Sequence, residues 1–301
     1  MQSGQTGQAG QRGVCWLDGS IQPLEQACIP VLDHGLLYGD GVFEGVRFHF
    51  GKPFLLAGHL QRLRLSARAI ALGVPWSDRE LAAIVARVIE AFGEPQGYLR
   101  LVVTRGDGPL GIDPGPCRRP RLIVVAGQLS LVDAAARAAG IRVVIASTRR
   151  LPPDGLDPRI KSLNYLNHVL ARIEASQAGA DEAILLNAQG RVAEGSADNV
   201  FVVRDGHLLT PPVTDGALAG ITRGLILELA RGAGIEAREE SLAPYDLYTA
   251  DECFLTGTGA ELIPVAEIDG RRPGQCPGPV YRRLEQAFRA HVRRHCEGIL
   301  T

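Results

Sequence analysis

Apolar and polar positions alternate along the chain in two rhythms, one of period two and one near 3.6, and these predict its elements. Val42 to Phe50 is β-branched and aromatic and reads as a strand, turned at Gly51-Lys52-Pro53. Ala57 to Ala71 sets Leu60, Leu63, Ala67 and Ile70 on one helical face. Ser77-Asp78-Arg79-Glu80 is a capping box, in which serine and glutamate each accept the other's free backbone N–H. The helix it opens carries Leu81, Ile84, Val85, Val88, Ile89 and Phe92 at core spacing. Tyr98 to Thr104 and Arg121 to Ala126 read as strands around a loop rich in glycine and proline.

Ala126 to Ala135 reads as a connector, and Ile141 to Ser147 as a further strand. A loop with Pro152, Pro153 and Pro158 leads to Lys161, and a helix from Tyr165 to Ala178 stops at Gly179. Ala183 to Asn187 is a strand, and Asn199 to Thr210 is a hairpin folded at Asp205-Gly206. Gly220 opens a helix to about Gly232, Cys253 to Val265 holds a strand broken by Gly257 and Gly259, and a last helix follows Pro279. Without a regular βαβ rhythm, the pattern predicts an α+β fold in two parts. The expected organisation is a disordered tail over 1–13, a small α/β domain over 14–125, a connector over 126–135 and a larger domain over 136–301.

Composition narrows the function. Of 301 residues 46% are hydrophobic and 22% charged, as in an ordinary globular protein. A net charge of −1 offers no broad basic field to nucleic acid or to an anionic membrane. No apolar run approaches the roughly 18 residues of a spanning helix. The Gln/Gly-rich start lacks a signal peptide's apolar core, so the expected location is cytoplasmic. Cys15, Cys28, Cys117, Cys253, Cys276 and Cys296 show no metal-ligand spacing and read as reduced thiols. Lysine and arginine total 32, yet Lys52 and Lys161 are the only lysines. Arginine does not lose its proton, so one reading is that lysine is kept where a deprotonated amine is needed; the other is base composition with two chance survivors, the reading favoured for Lys52. Lys52 lies in an expected surface turn, which leaves Lys161.

Three segments carry candidate chemistry. Lys161, in Arg159-Ile160-Lys161-Ser162-Leu163-Asn164-Tyr165, has apolar neighbours whose cover would favour the neutral amine; seen alone, it is an ordinary solvated lysine. Glu194, in Glu194-Gly195-Ser196-Ala197-Asp198-Asn199-Val200-Phe201, is an acid just before an apolar strand. Gly220-Ile221-Thr222-Arg223 opens a helix whose free N–H groups suit a phosphate, and Thr256-Gly257-Thr258-Gly259-Ala260 could supply a second arm. No GxxxxGK[ST] loop, dinucleotide fingerprint or GxSxG elbow is present.

In this order the segments resemble the fold-type IV pyridoxal-5′-phosphate (PLP) enzymes, which include branched-chain and D-amino-acid aminotransferases and aminodeoxychorismate lyases. The resemblance runs from about Asp33 to the last helix. It implies a small N-terminal α/β domain and a larger C-terminal pseudo-barrel domain that binds PLP. It implies that Lys161 forms the internal aldimine and carries the α-proton, and that Glu194 faces the pyridine nitrogen. Arg62, Ile221, Thr222 and Thr258 match the phosphate ligands, Leu218 packs on the ring, and Tyr165 meets the phenolic oxygen. Asp33 to Arg47 is similar to the branched-chain pattern, with Tyr38 and Phe43 lining an apolar pocket and Arg47 among the substrate residues. Tyr98-Leu99-Arg100 matches that group's Tyr-x-Arg, and Thr258, Gly259 and Ala260 complete the implied substrate site. The D-specific enzymes resemble one another in an Arg-x-His trap after Thr-Arg-Gly; here Thr104-Arg105-Gly106 leads to apolar Leu110-Gly111-Ile112, although Arg105 could clamp a carboxylate in another way. The implied reaction is ping-pong transamination of L-branched-chain amino acids with 2-oxoglutarate. D-amino-acid or amine transamination is the alternative, and the lyase comes third. A homodimer or higher homo-oligomer is implied, the Leu110 to Ile112 loop reaching across to a partner.

Overall fold

The structure, a computed structural model, describes residues 13–129 and 134–297. The expected tail, save its last residue, and residues 130–133 of the expected connector lie outside them.

Residues 13–127 supply one antiparallel sheet. Its strands are β1 (Gly13–Leu17), β2 (Ser20–Pro23), β3 (Gly41–His49), β4 (Lys52–Pro53), β5 (Gly97–Thr104) and β6 (Arg121–Gly127), in the order β2-β1-β6-β5-β3-β4. A short α1 (His34–Tyr38) precedes β3, while α2 (Leu56–Ala69) and α3 (Asp78–Phe92) follow β4. Alternation decides which face is covered. Val42, Val46 and Phe48 of β3 pack with Leu60, Leu63 and Ala67 of α2 and Leu81, Val85 and Val88 of α3. The capping box at Ser77 and Glu80 forms as expected. The Gly51-Lys52-Pro53 turn sits one residue earlier than expected. Phe50 and Gly51 take positive φ, while Lys52 and Pro53 pair back onto β3.

The second sheet is larger and curls. After α4 (Ala134–Ala139) come β7 (Ile141–Ile145), α5 (Leu166–Gln177), β8 (Glu182–Leu186), β9 (Val192–Gly195), β10 (Asn199–Arg204) and β11 (His207–Thr210). Then come α6 (Ile221–Gly232), β12 (Ala237–Glu239), α7 (Pro244–Tyr248), β13 (Glu252–Gly257), β14 (Glu261–Ile268) and α8 (Pro279–Glu297). The strand order is β12-β11-β10-β13-β14-β7-β8-β9. One side packs on α6 and α8 through Phe201, Phe254, Ile226 and Phe288. The other encloses Val200, Leu255, Ile263 and Val265. The mixed α+β reading holds: most pairings are antiparallel, and the parallel ones are β7 with β8 and β14 and β11 with β12. The Cys253 to Val265 segment is a hairpin, β13 and β14, with its turn at 258–260.

All six cysteines are free thiols. Among the described residues no helix is long and apolar enough to cross a membrane.

Candidate active site

A cavity of about 310 Å³ is lined from both sheets by Phe43, Arg62, Tyr98, Arg100, Lys161, Tyr165, Leu218, Ile221, Thr222 and Thr256 to Ala260. Strand period builds its first wall. With Val42, Val46 and Phe48 turned to the core, Phe43 and Gly45 face the opposite way, toward the cavity. The ladder sets Gly45 against Arg100 and Arg47 against Tyr98. A Cβ at position 45 would fall 1.8 Å from the Tyr98 hydroxyl oxygen, so glycine is what lets that tyrosine lie across the strand. The Arg100 guanidinium stacks 4.5 Å from the Phe43 ring centre and 5.7 Å from that of Tyr98.

Lys161 is half-buried and held in place by short-range contacts. Its peptide N–H donates to Ser66 Oγ (3.1 Å), and its carbonyl accepts the Phe43 N–H (3.0 Å). Its Nζ donates to Tyr165 Oη at 3.1 Å and lies 4.5 Å from the Phe43 ring centre. Tyr165 meets Phe43 edge-on and stacks on His168 at 4.3 Å. Burial, aided by Arg150, pushes His168 down to about 3, which keeps that ring neutral.

A carboxylate lies behind Leu218. Glu194, on β9, is 4% exposed, and its Oε2 accepts the Leu218 N–H at 2.8 Å. Arg150 Nε is 2.8 Å from Oε1, but its N–H points to the Gly216 carbonyl (3.2 Å), so Oε1 accepts no aligned hydrogen bond. Burial raises the Glu194 pKa, against the pull of Arg150, the Leu218 N–H and Lys161. Oε1 is thus ion-paired to Arg150 without an aligned hydrogen bond and keeps capacity to accept from a further donor.

The N-terminus of α6 lines the cavity through Ile221 and Thr222. Gly220 caps it without a side chain, and a Cβ there would strike Asn199 Oδ1 at 2.0 Å. Arg62 reaches this end from α2. Its Nε and Nη2 donate to Glu44 at 2.7 and 2.8 Å, and its Nη1 to the Ala219 carbonyl at 2.8 Å. Thr258, Gly259 and Ala260 lie on the β13–β14 turn, where Thr256 Oγ1 is buried without a partner.

Three residues expected at the site do not line this cavity: Glu194, which lies behind Leu218, and Tyr38 and Arg47. Tyr38, on α1, is exposed, and its hydroxyl accepts the Gly111 N–H at 2.8 Å. Arg47 lies behind the turn, its Nε and Nη2 on the Gly259 carbonyl at 3.2 and 2.5 Å. Arg105 is committed elsewhere: it binds Asp40 through two nitrogens (2.8 and 2.9 Å) and caps the carbonyls of Ile70 and Ala71. No carboxylate clamp remains there.

The sequence reading missed Glu44, His59, Arg137, Arg150 and Asp198. His59 and Arg62 share a helical face at i, i+3 spacing, a signal that was available. Asp198 lines the cavity, and burial beside Glu182 and Glu194 pushes it up to about 7, so that wall carries less than a full negative charge at neutral pH.

The cavity thus gathers an amine and a helix N-terminus suited to an anion, with a buried carboxylate behind its Leu218 wall, and comparison with known proteins points the same way. The family model described as amino-transferase class IV matches residues 41–268. A Methanocaldococcus jannaschii protein is 46% identical over 275 residues, covering 91% of this chain and 94% of its own length. The branched-chain-amino-acid aminotransferase of Salmonella typhimurium is 39% identical, with 91% of each chain covered. The crystal structure of a T.th. branched-chain amino acid aminotransferase, complexed with N-(5′-phosphopyridoxyl)-L-glutamate, superposes with a TM-score of 0.88 at 36% identity, covering 97% of this chain and 98% of that one. This chain belongs to the class IV aminotransferase family.

Proposed function

We propose that this aminotransferase uses PLP to move amino groups between L-branched-chain amino acids and 2-oxoglutarate, in ping-pong alternation. The observation that carries the reading is the single cavity that unites Lys161, the α6 N-terminus with Arg62, and Leu218, whose N–H holds Glu194. The open Glu194 Oε1 fits a protonated pyridine nitrogen. Arg62, Thr222, Thr258 and the Ile221 N–H fit a phosphate. When bound, PLP supplies an aldehyde that takes up the amino group and a ring that withdraws electrons from the substrate's α-carbon.

The chain's own residues do the rest. Lys161 provides the attaching amine and afterwards holds or returns the α-proton at its Nζ. Tyr165, whose oxygen accepts from that nitrogen, orients it. Glu194 would keep the ring nitrogen protonated. Leu218 would pack on the ring, and Phe43, Leu129 and Val169 would give the substrate side chain an apolar wall. Arg100 and the N–H groups of the 258–260 turn face a carboxylate, and Tyr98 orients it. The name of the Salmonella relative supports the branched-chain substrate, and the glutamate conjugate in the T.th. structure supports the second substrate pair. Exposed, apolar Leu110 and Ile112 offer no charge to a D-substrate's carboxylate. A second copy of the chain brings that loop and Tyr38 to the cavity rim.

The test is the visible spectrum of the PLP-loaded protein with L-leucine and, in parallel, D-alanine. L-leucine should remove the lysine-bound cofactor's absorbance and D-alanine should leave it. The opposite result would make this a D-amino-acid enzyme. Lys161→Ala should lack that absorbance and lose turnover on the order of 10⁴-fold; retained turnover would sink the assignment of Lys161.

A further inference from the structure

The phosphate end of the cavity has a charge problem. Arg62 is its nearest fixed cation, but Glu44 already binds that guanidinium through both oxygens. Glu44 lies on the core face of β3 and is fully buried. Burial works against its ionisation, yet Arg62 and His59 outweigh this and hold its carboxyl at about 2. Arg62 and Glu44 therefore form a nearly neutral pair. The helix end adds only about half a positive charge. A phosphate dianion seated there would remain under-compensated.

His59 stands where the missing charge is needed. Its Nδ1 is 2.8 Å from Glu44 Oε2, the oxygen that also accepts from Arg62 Nη2. Its ring is 1% exposed to solvent, but it lines a second, small cavity together with Ile221, Thr222 and Thr258. These three also line the phosphate end of the main cavity, so His59 sits directly behind it. Burial pushes His59 toward its neutral form; the Glu44 contact opposes this, and Arg62 and Lys161 add to it. An incoming dianion changes that balance, because it favours the charged ring.

We propose that His59 is the charge-adjusting residue of the phosphate subsite, taking up a proton when the cofactor's phosphate is seated and releasing it when the cofactor leaves. The inference rests on the PLP reading above. The groups facing His59 are Glu44 of β3, Arg62 of α2 and Lys161. Around the small cavity stand Arg47 and His49 of β3 and Glu261 of β14. Arg47 is occupied by the Gly259 carbonyl, and His49 lies 3.7 Å from Glu261. His49 is thus the one competing titratable ring at this cavity among the described residues.

The consequence is a pH-dependent grip on the cofactor. Affinity of the apo protein for PLP should be measured between pH about 5.5 and 8.5, the span over which histidine titrates. Wild type is compared with His59→Asn, which keeps a donor toward Glu44, and with His59→Gln as a second variant should the first fold poorly. His49→Asn is the control, and pyridoxal, which lacks the phosphate, is the control ligand. By linkage, the wild-type log affinity should fall more steeply with rising pH than that of either His59 variant, by up to about one unit per pH unit. His49→Asn should keep the wild-type slope, and the difference should vanish with pyridoxal. Parallel wild-type and His59-variant profiles would overturn the proposal, as would a slope that follows His49. A wild-type protein that binds no PLP at any pH would overturn the cofactor reading itself, a visibly different failure.

Discussion

At the residue scale, the proposed role of Glu194 rests on its burial and its partners. It is buried, Leu218 binds one oxygen, and the other is 2.8 Å from Arg150 without an aligned bond. A neutral amide in its place could still accept from Leu218 but would no longer favour a protonated ring nitrogen. Glu194→Gln should therefore keep cofactor binding and lose turnover on the order of 10²-fold, the scale of removing one preorganised electrostatic partner. Single-turnover kinetics of the α-proton transfer would read this directly; an unchanged rate would remove Glu194 from the ring-nitrogen role. The sequence singled out Lys161 as a scarce amine and Glu194 as an acid in an ordered set of motifs, and the fold places one in the cavity lining and the other behind Leu218. The sequence singled out neither Glu44 nor His59. An acid within an apolar strand becomes meaningful only once α2 lays Arg62 and His59 over it, and that contact is tertiary.

At the scale of elements, the β13–β14 turn is shaped by two arginines that never enter the main cavity. Arg47 donates to the Gly259 carbonyl, and Arg137 of α4 donates through Nη1 to the carbonyls of Ala260 (2.8 Å) and Leu262 (3.1 Å). Glu261, the first residue of β14 after this turn, sits at φ 59°, a left-handed conformation that costs a non-glycine residue energy and must be held by its surroundings. The Gly259 carbonyl belongs to the same peptide unit as the Ala260 N–H. A guanidinium on its oxygen polarises that unit and strengthens the N–H as a donor to a carboxylate. Arg47 thus holds the turn from behind and does not line the main cavity, whereas the sequence set it among the substrate residues. Removing Arg137 should loosen the same device. Arg137→Ala should raise KM for both the amino acid and the oxo acid about tenfold, roughly one charge-assisted hydrogen bond, with kcat and cofactor content nearly unchanged. Arg137→Lys should recover part of the loss. A lower melting temperature with an unchanged KM would assign it a purely structural role. Long periodic elements such as α3 and β5 were readable from their own residues. Three- and four-residue strands such as β9 and β12 carry too little pattern and exist because a neighbour offers a ladder.

At the scale of the molecule, one surface remains to be accounted for. On α5, Ala171 and Ala175 are buried, while Leu166, Val169, Leu170 and Ile173 form an exposed apolar stripe at i, i+3, i+4, i+7 spacing. Val169 also lines the cavity, so the stripe reaches its rim. Leu36, Leu37 and Tyr38 of α1 and Leu110 and Ile112 of the loop between β5 and β6 are exposed as well. Burying each such side chain is worth about 1.5–3 kcal/mol, so a second copy seated on the stripe would gain stability and would also narrow the cavity mouth. A dimer also explains why Tyr38, which resembles a substrate-pocket residue, lies outside its own chain's cavity: it would serve the partner's. Leu170→Asp places a charge in the stripe without touching the cavity lining. It should halve the mass seen by sedimentation and weaken substrate binding, and higher protein concentration should restore both. If the unaltered protein sediments as a monomer with full turnover, Tyr38 has no part in the pocket, and Phe43, Leu129 and Val169 of a single chain must select the substrate alone.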